Sequence, residues 1–126
     1  MTIGEVSEKY ELSTDTLRYY ERIGLLPPVP RKQNGIRDFD EQACNWVSFI
    51  KCMRSAGVQI EPLIEYVSLL QQGTGIERRK KILIEQRARL QKQAETLRTT
   101  IERLDYKIDH YEELFKDGKT SMHPTL

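Results

Sequence analysis

Cysteine is scarce in this 126-residue chain, which holds two, Cys44 and Cys52. Two thiols do not build the disulfide framework of a small secreted domain. Read as lying on one helix, they sit about 12 Å apart along its axis, too far to bridge while the helix is intact. Histidine is equally scarce, His110 and His123. Isolated histidines with no cysteine beyond Cys52 make a poor soft-metal site, so no metal and no cofactor is expected. The sequence has no apolar run long enough to span a membrane and no secretory signal at its start, so no membrane partner is expected and a cytoplasmic protein is. It has no excess of one charge either: 20 Lys and Arg against 19 Asp and Glu. Paired carboxylates in a plausible cleft, a Ser/His/Asp set and a phosphate loop are all missing, and an enzyme is not expected.

What is present is helical patterning with locally concentrated charge. The first 75 residues carry a net −2 and the remainder +3. Between Arg18 and Arg37, however, five basic residues (Arg18, Arg22, Arg31, Lys32, Arg37) face a single acid, Glu21. A local basic patch matters more to phosphate binding than the total charge.

The patch begins in Ser13–Leu26, STDTLRYYERIGLL. Ser13 is a good N-cap, and Asp15 suits the positive end of the helix dipole. Asp15, Arg18, Tyr19 and Arg22 are spaced to share one face, with Leu17, Tyr20 and Ile23 towards the other. Gly24 stops the helix. A short helix of this kind can enter a major groove and grip phosphates, with Thr14 and Thr16 in its first turn as further DNA-binding candidates. An ordinary amphipathic surface helix explains the same stretch.

Upstream, Thr2-Ile3-Gly4-Glu5 has the form of a capping box that opens a first short helix, with Ile3, Val6 and Tyr10 inward. Glu11-Leu12 turns into the Ser13 helix, which makes a helix-turn-helix candidate. Downstream, Pro27-Pro28-Val29-Pro30 excludes helix and central strand. Asn34-Gly35 then signals a hairpin with Arg31, Lys32 and Arg37 around its tip, a basic wing or else a solvated loop. Asp40 caps a third helix, Glu41 to Ala56, with one apolar stripe at Ala43, Trp46, Val47, Ile50 and Met53 and a second at Phe49, Cys52, Met53 and Ala56. Gly57 ends it. A fourth helix from about Ile60 presents Ile60, Leu63, Ile64, Val67 and Leu70 and stops at Gln72-Gly73.

Thr74-Gly75-Ile76-Glu77 reads as a capping box opening a long helix to about Asp117. Ile76, Leu83, Leu90, Leu97, Leu104 and Tyr111 recur every seven residues, with Ala94, Ile101, Ile108 and Phe115 as companions and Arg87 interrupting. That is a coiled-coil seam without a partner in the chain, which predicts a homodimer, antiparallel so that two heads stand at opposite ends, while the pattern also leaves a parallel pair or a hetero-partner open. The expected architecture is mainly all-α. It comprises a winged helix-turn-helix head over 1–73, a dimerisation helix over 74–117 joined through Leu83, Leu90, Leu97, Ile101, Leu104, Ile108 and Tyr111, and a loose tail over 118–126.

TIGEV, STDTLRYYERIGLLPP, NGIRDFD, FIKCMRSAG and a long coiled coil, in that order, resemble the MerR family of bacterial transcription regulators across essentially the whole chain. The resemblance implies a dimer that binds promoter DNA with an over-long spacer, distorts it on an effector signal and so realigns the two boxes read by RNA polymerase. Arg18, Tyr19 and Arg37 match family positions that contact DNA. Phe39 stands where tyrosine is frequent. FIKCMRSAG resembles the aldehyde- and electrophile-responsive branch, which implies Cys52 as a thiol sensor. From the residues alone, Cys52 near its helix end reads as a small buried hydrophobe. Cys44, nearer the N-cap, is the rival sensor or a partly exposed spectator. A non-covalent small-molecule or oxidant effector stays open. So does a coiled-coil interaction adaptor, which would need no basic wing.

Overall fold

The computed structural model describes residues 1–115. It contains six helices among them: α1 (Ile3–Tyr10), α2 (Thr14–Arg22), α3 (Glu41–Ser55), α4 (Ile60–Gln72), α5 (Ile76–Asp109) and α6 (Tyr111–Leu114). No described helix is long and apolar enough to cross a membrane. The only described strand-like pairing is one antiparallel bridge, Arg31 with Arg37. The mainly all-α expectation is met.

The helix starts follow their caps. Thr2 accepts the Glu5 N–H at 3.1 Å while the Glu5 carboxylate accepts the Thr2 N–H at 2.9 Å, closing the expected capping box. Ser13 accepts the Thr16 N–H at 3.0 Å and opens α2, and Asp40 accepts the Ala43 N–H at 2.8 Å and opens α3. Each such cap satisfies a helix-end donor and is worth about 0.5–2 kcal/mol. Between α1 and α2 Glu11 takes a left-handed φ of 55°.

Two compact units follow from this chain, Met1–Arg87 and the part from Ala88 on. In the first, α1 packs on α2 and on α3. Val6, Leu17, Leu25, Leu26, Val29, Phe39, Val47, Ile50, Val58, Leu63, Val67 and Ile82 are buried. Each such side chain taken from water stabilises the unit by about 1.5–3 kcal/mol. The linker Pro27–Pro30 is held by burial of Leu26 and Val29, not by regular structure.

The structure departs from the sequence reading in several places. The wing turns differently: Gly35 N–H donates to the Lys32 carbonyl and Lys32 N–H to the Ile36 carbonyl. Gln33 and Asn34 are therefore the central residues, and Gly35, at φ 82°, takes the left-handed position after them. That is the three-residue loop with a bulge, which needs glycine after the turn and not within it. At the start of α5 Gly75, at φ 68°, precedes the helix and its carbonyl accepts the Arg79 N–H, so Thr74 is one residue too early to cap it. The second stripe of α3 does not form a buried face, since Cys52 and Ala56 are exposed. The compact first unit takes in the beginning of α5, through buried Ile82 and Gln86, beyond the boundary drawn at residue 73.

In the second unit α5 ends at Asp109, short of the expected Asp117. His110 leaves helical geometry (φ −110°, ψ 16°) before α6 begins. The last residues expected in the coil, the tail 118–126 and His123 lie outside the described residues. Leu83, Leu97, Ile101, Leu104, Ile108 and Tyr111 are 39–69% exposed and Leu90 is half-buried.

Candidate nucleic-acid interface

Helix α2 presents the face that its spacing predicts. Arg18, Tyr19 and Arg22 are exposed, and the Arg22 guanidinium lies 5.2 Å from the centre of the Tyr19 ring. At that distance the ring face favours the cation. Arg18 donates to Asp15 at 3.2 Å and to Thr14 at 3.4 Å. The pair is open to solvent, Asp15 almost wholly so, and its mutual attraction is screened. Thr14 and Thr16 are both half-buried, and the Thr16 hydroxyl accepts the Ser13 hydroxyl at 2.7 Å as part of the cap.

The wing residues divide. Arg31 is exposed and donates to the Gly35 carbonyl at 2.8 Å, which closes the loop on itself. Lys32 is exposed at the turn. Arg37 is not at the tip. Its Nε donates to the Glu21 carboxylate at 2.7 Å, and the two side chains are 22% and 15% exposed. The other Glu21 oxygen accepts the Val29 N–H at 2.7 Å. Burial works to raise the Glu21 pKa, but the Val29 and Arg37 hydrogen bonds together outweigh it, and the carboxyl is held below its usual value. Glu21 is the residue that sequence reasoning passed over. The available signal was its being the lone acid of the basic stretch.

The thiols sit opposite to the sequence reading. Cys44 is buried, its Sγ 3.8 Å from Met1 Sδ and 3.8 Å from the Phe39 carbonyl, and is no exposed spectator. Cys52 is exposed and is no core hydrophobe within this chain. The neighbouring cations are engaged elsewhere: Lys51 lies 3.7 Å from Glu11, and Arg54 donates to the Val58 carbonyl. Among the described residues no three His, Cys, Asp or Glu side chains group as a metal site.

This geometry has counterparts. A family model described as "MerR family regulatory protein" matches residues 2–39, from the cap of α1 through the wing. A crystal structure of a MerR family transcriptional regulator from Listeria monocytogenes superposes with a TM-score of 0.85 at 42% identity, over 89% of this chain and 86% of that one. The chain belongs to the MerR family. HiNmlR, a MerR family regulator lacking the sensor domain and crystallised bound to promoter DNA, superposes with a TM-score of 0.82 at 28% identity, over 94% of each chain. The HTH-type transcriptional regulator AdhR of Bacillus subtilis (strain 168) is 54% identical over 91 residues, 71% of this chain but only 65% of AdhR. These MerR relatives are named as transcriptional regulators and not as enzymes, in line with the sequence expectation.

Proposed function

We propose that this MerR-family chain is a homodimeric transcription regulator that grips promoter DNA through α2 and the wing and responds to thiol-reactive electrophiles at Cys52. The observation that carries the DNA reading is the open Arg18–Tyr19–Arg22 face beside the basic wing. Arginines there are suited to phosphate oxygens and base edges, and Thr14 and Lys32 extend the same surface. HiNmlR, similar in fold over 94% of its length, was crystallised on promoter DNA. The half-exposed to exposed apolar seam from Leu83 to Tyr111 supports pairing of two copies, which places two heads on two half-sites. RNA polymerase is the partner that a distorted promoter serves.

The effector reading rests on access. Cys52 is open to solvent and Cys44 is covered, so a reagent meets Cys52 first. No cation of its own helix activates it, since Lys51 and Arg54 are engaged elsewhere. A basic group from a second copy would supply that charge. Alkylation of an exposed thiol strains nothing within one chain, and the adduct acts only where the added group meets the second copy, by overpacking a joint that then shifts the heads.

A second reading, a non-covalent effector, is favoured by a groove of about 300 Å³ lined by Pro27–Pro30, Trp46, Val67 and Leu70. One experiment separates the two. Intact-mass and peptide mapping after limiting formaldehyde, methylglyoxal or diamide should show Cys52 modified before Cys44. Promoter response should be lost in Cys52→Ala. A Cys52→Ala protein that still responds to aldehyde sinks the thiol reading and sends the search to the groove.

A further inference from the structure

An acid inside a DNA-facing basic stretch is costly, because its charge repels the phosphates its neighbours attract. Glu21 is such an acid, and it is half-covered, with both oxygens in use. We propose that Glu21 is a positioning residue, one that fixes the Arg37 guanidinium and with it the wing against α2, so that helix and wing meet the duplex as one surface. The proposal rests on the DNA-binding reading above and deepens it.

The geometry joins three segments at one carboxylate. The carboxylate itself comes from α2, the Nε–H donor from the wing's returning arm at Arg37, and the N–H donor from the proline linker at Val29. The wing has little else to hold it to α2. Its own bonds, the Arg31–Arg37 bridge, the turn bonds of Lys32 and Gly35 and the Arg31–Gly35 bond, close the loop on itself and do not reach α2, and its base is tied by the Asp38 N–H to the Pro30 carbonyl and by the Phe39 N–H to the Met1 carbonyl. A wing that is closed on itself but loosely placed against α2 has many orientations, and fixing one at the moment of binding would cost affinity. Arginine is suited to the task because its planar guanidinium carries five donors. The hydrogen bond to Glu21 uses Nε, and the Nη groups remain as donors for a phosphate. Lysine, a point charge on a flexible stem, cannot serve both partners in this fixed way.

The test uses the full-length chain and a duplex recovered from a random-sequence pool by selection with the unsubstituted protein. Affinity is measured against salt concentration for the unsubstituted chain, Glu21→Gln, Arg37→Ala, Arg37→Lys and the double variant Glu21→Gln/Arg37→Ala. Glu21→Gln is expected to weaken binding about tenfold. Arg37→Lys, which keeps the charge and loses the Nε–H, is expected to weaken it similarly. Arg37→Ala should also lower the salt slope by about one. The double variant should bind no worse than Arg37→Ala, since Glu21 acts through Arg37. Losses that multiply in the double variant, or a Glu21→Gln chain that binds like the unsubstituted one, overturn the proposal.

A second readout is independent of DNA. The Arg37 Nε–H should be protected from exchange in the ¹⁵N spectrum of the free protein, and should lose that protection in Glu21→Gln. An unprotected Arg37 Nε–H in the unsubstituted chain overturns the positioning role alone. A protected one in a chain that binds no duplex overturns the DNA-binding reading instead.

Discussion

The unit from Met1 to Arg87 and the unit from Ala88 on are built from similar amphipathic helices, yet among the described residues only the first buries an apolar core of its own. In the first, residues from the helices, the proline linker and the wing base, Val6, Leu17, Val29, Phe39, Ile50, Leu63 and Ile82 among them, are all but removed from water. In the second, no described residue is buried, and Leu97, Ile101, Leu104 and Ile108 remain more than half exposed. A contiguous exposed apolar stripe is not a resting state for a soluble helix. The contrast therefore assigns the two units different tasks. The first carries its own packed core, while Ile76, Leu83 and Ile84 at the start of α5 stay exposed. The second leaves its apolar seam open, as the dimer proposed above requires.

Substitutions can break that contrast from either side. The largest effect is expected from Leu97→Asp combined with Leu104→Asp, which puts charges into the seam where each leucine lost already costs about 2–5 kcal/mol on burial. Sedimentation velocity should show monomer in place of dimer, while the near-ultraviolet circular dichroism of the Trp46 region stays unchanged. A dimer that survives both substitutions would place the interface elsewhere. In the head, Leu17→Ala removes a side chain that is 1% exposed and should lower unfolding stability by about 2–5 kcal/mol in urea titration, without dissociating the dimer.

A smaller effect comes with acid. The Glu21 pKa is lowered on folding below its ordinary 4.5. Its contribution to stability is thus fully present above that value and lost as pH falls through the lower, folded one. Acid unfolding of the unsubstituted chain should accordingly carry a component below pH 4.5 that Glu21→Gln removes. Identical acid profiles for both would mean that Glu21 gains nothing from its partners. The smallest effect is expected from Glu65→Gln. Its pair with Arg78 joins α4 to the start of α5 through bonds of 2.7 and 2.8 Å, but both side chains are 44% exposed and solvent screens them. The thermal midpoint should not move measurably.

The two cysteines show where sequence reasoning stops. Periodicity placed both correctly on α3, but Phe49, Cys52, Met53 and Ala56 looked like a second packed stripe, and Cys44 looked peripheral. Eight residues advance a helix by about 80° beyond whole turns, so spacing allows the two thiols one broad face and does not say which of them is covered. The face carrying Cys44, Val47 and Ile50 is the one that the fold covers. Which of two plausible stripes is buried depends on what packs against the helix, and that is not written in the helix. Ile82 teaches the same lesson. It sits one position off the heptad series, about 100° round from Leu83, and only the packed head explains its burial. Arg37 is the third case: its charge and place in the wing were legible, but its partner lies 16 residues away on α2.

The sequence by itself determined the local and periodic features. These are the caps at Thr2, Ser13 and Asp40, the helix order, the exposed Arg18–Tyr19–Arg22 face and the unpartnered seam, because each depends on residues within a few positions of one another. The tertiary structure alone decided which thiol is open, that the head extends into α5, and that Glu21 meets Arg37 and Val29. Those outcomes turn on contacts between segments distant in the chain, where burial and hydrogen-bond geometry, not spacing, choose among faces the sequence leaves equivalent.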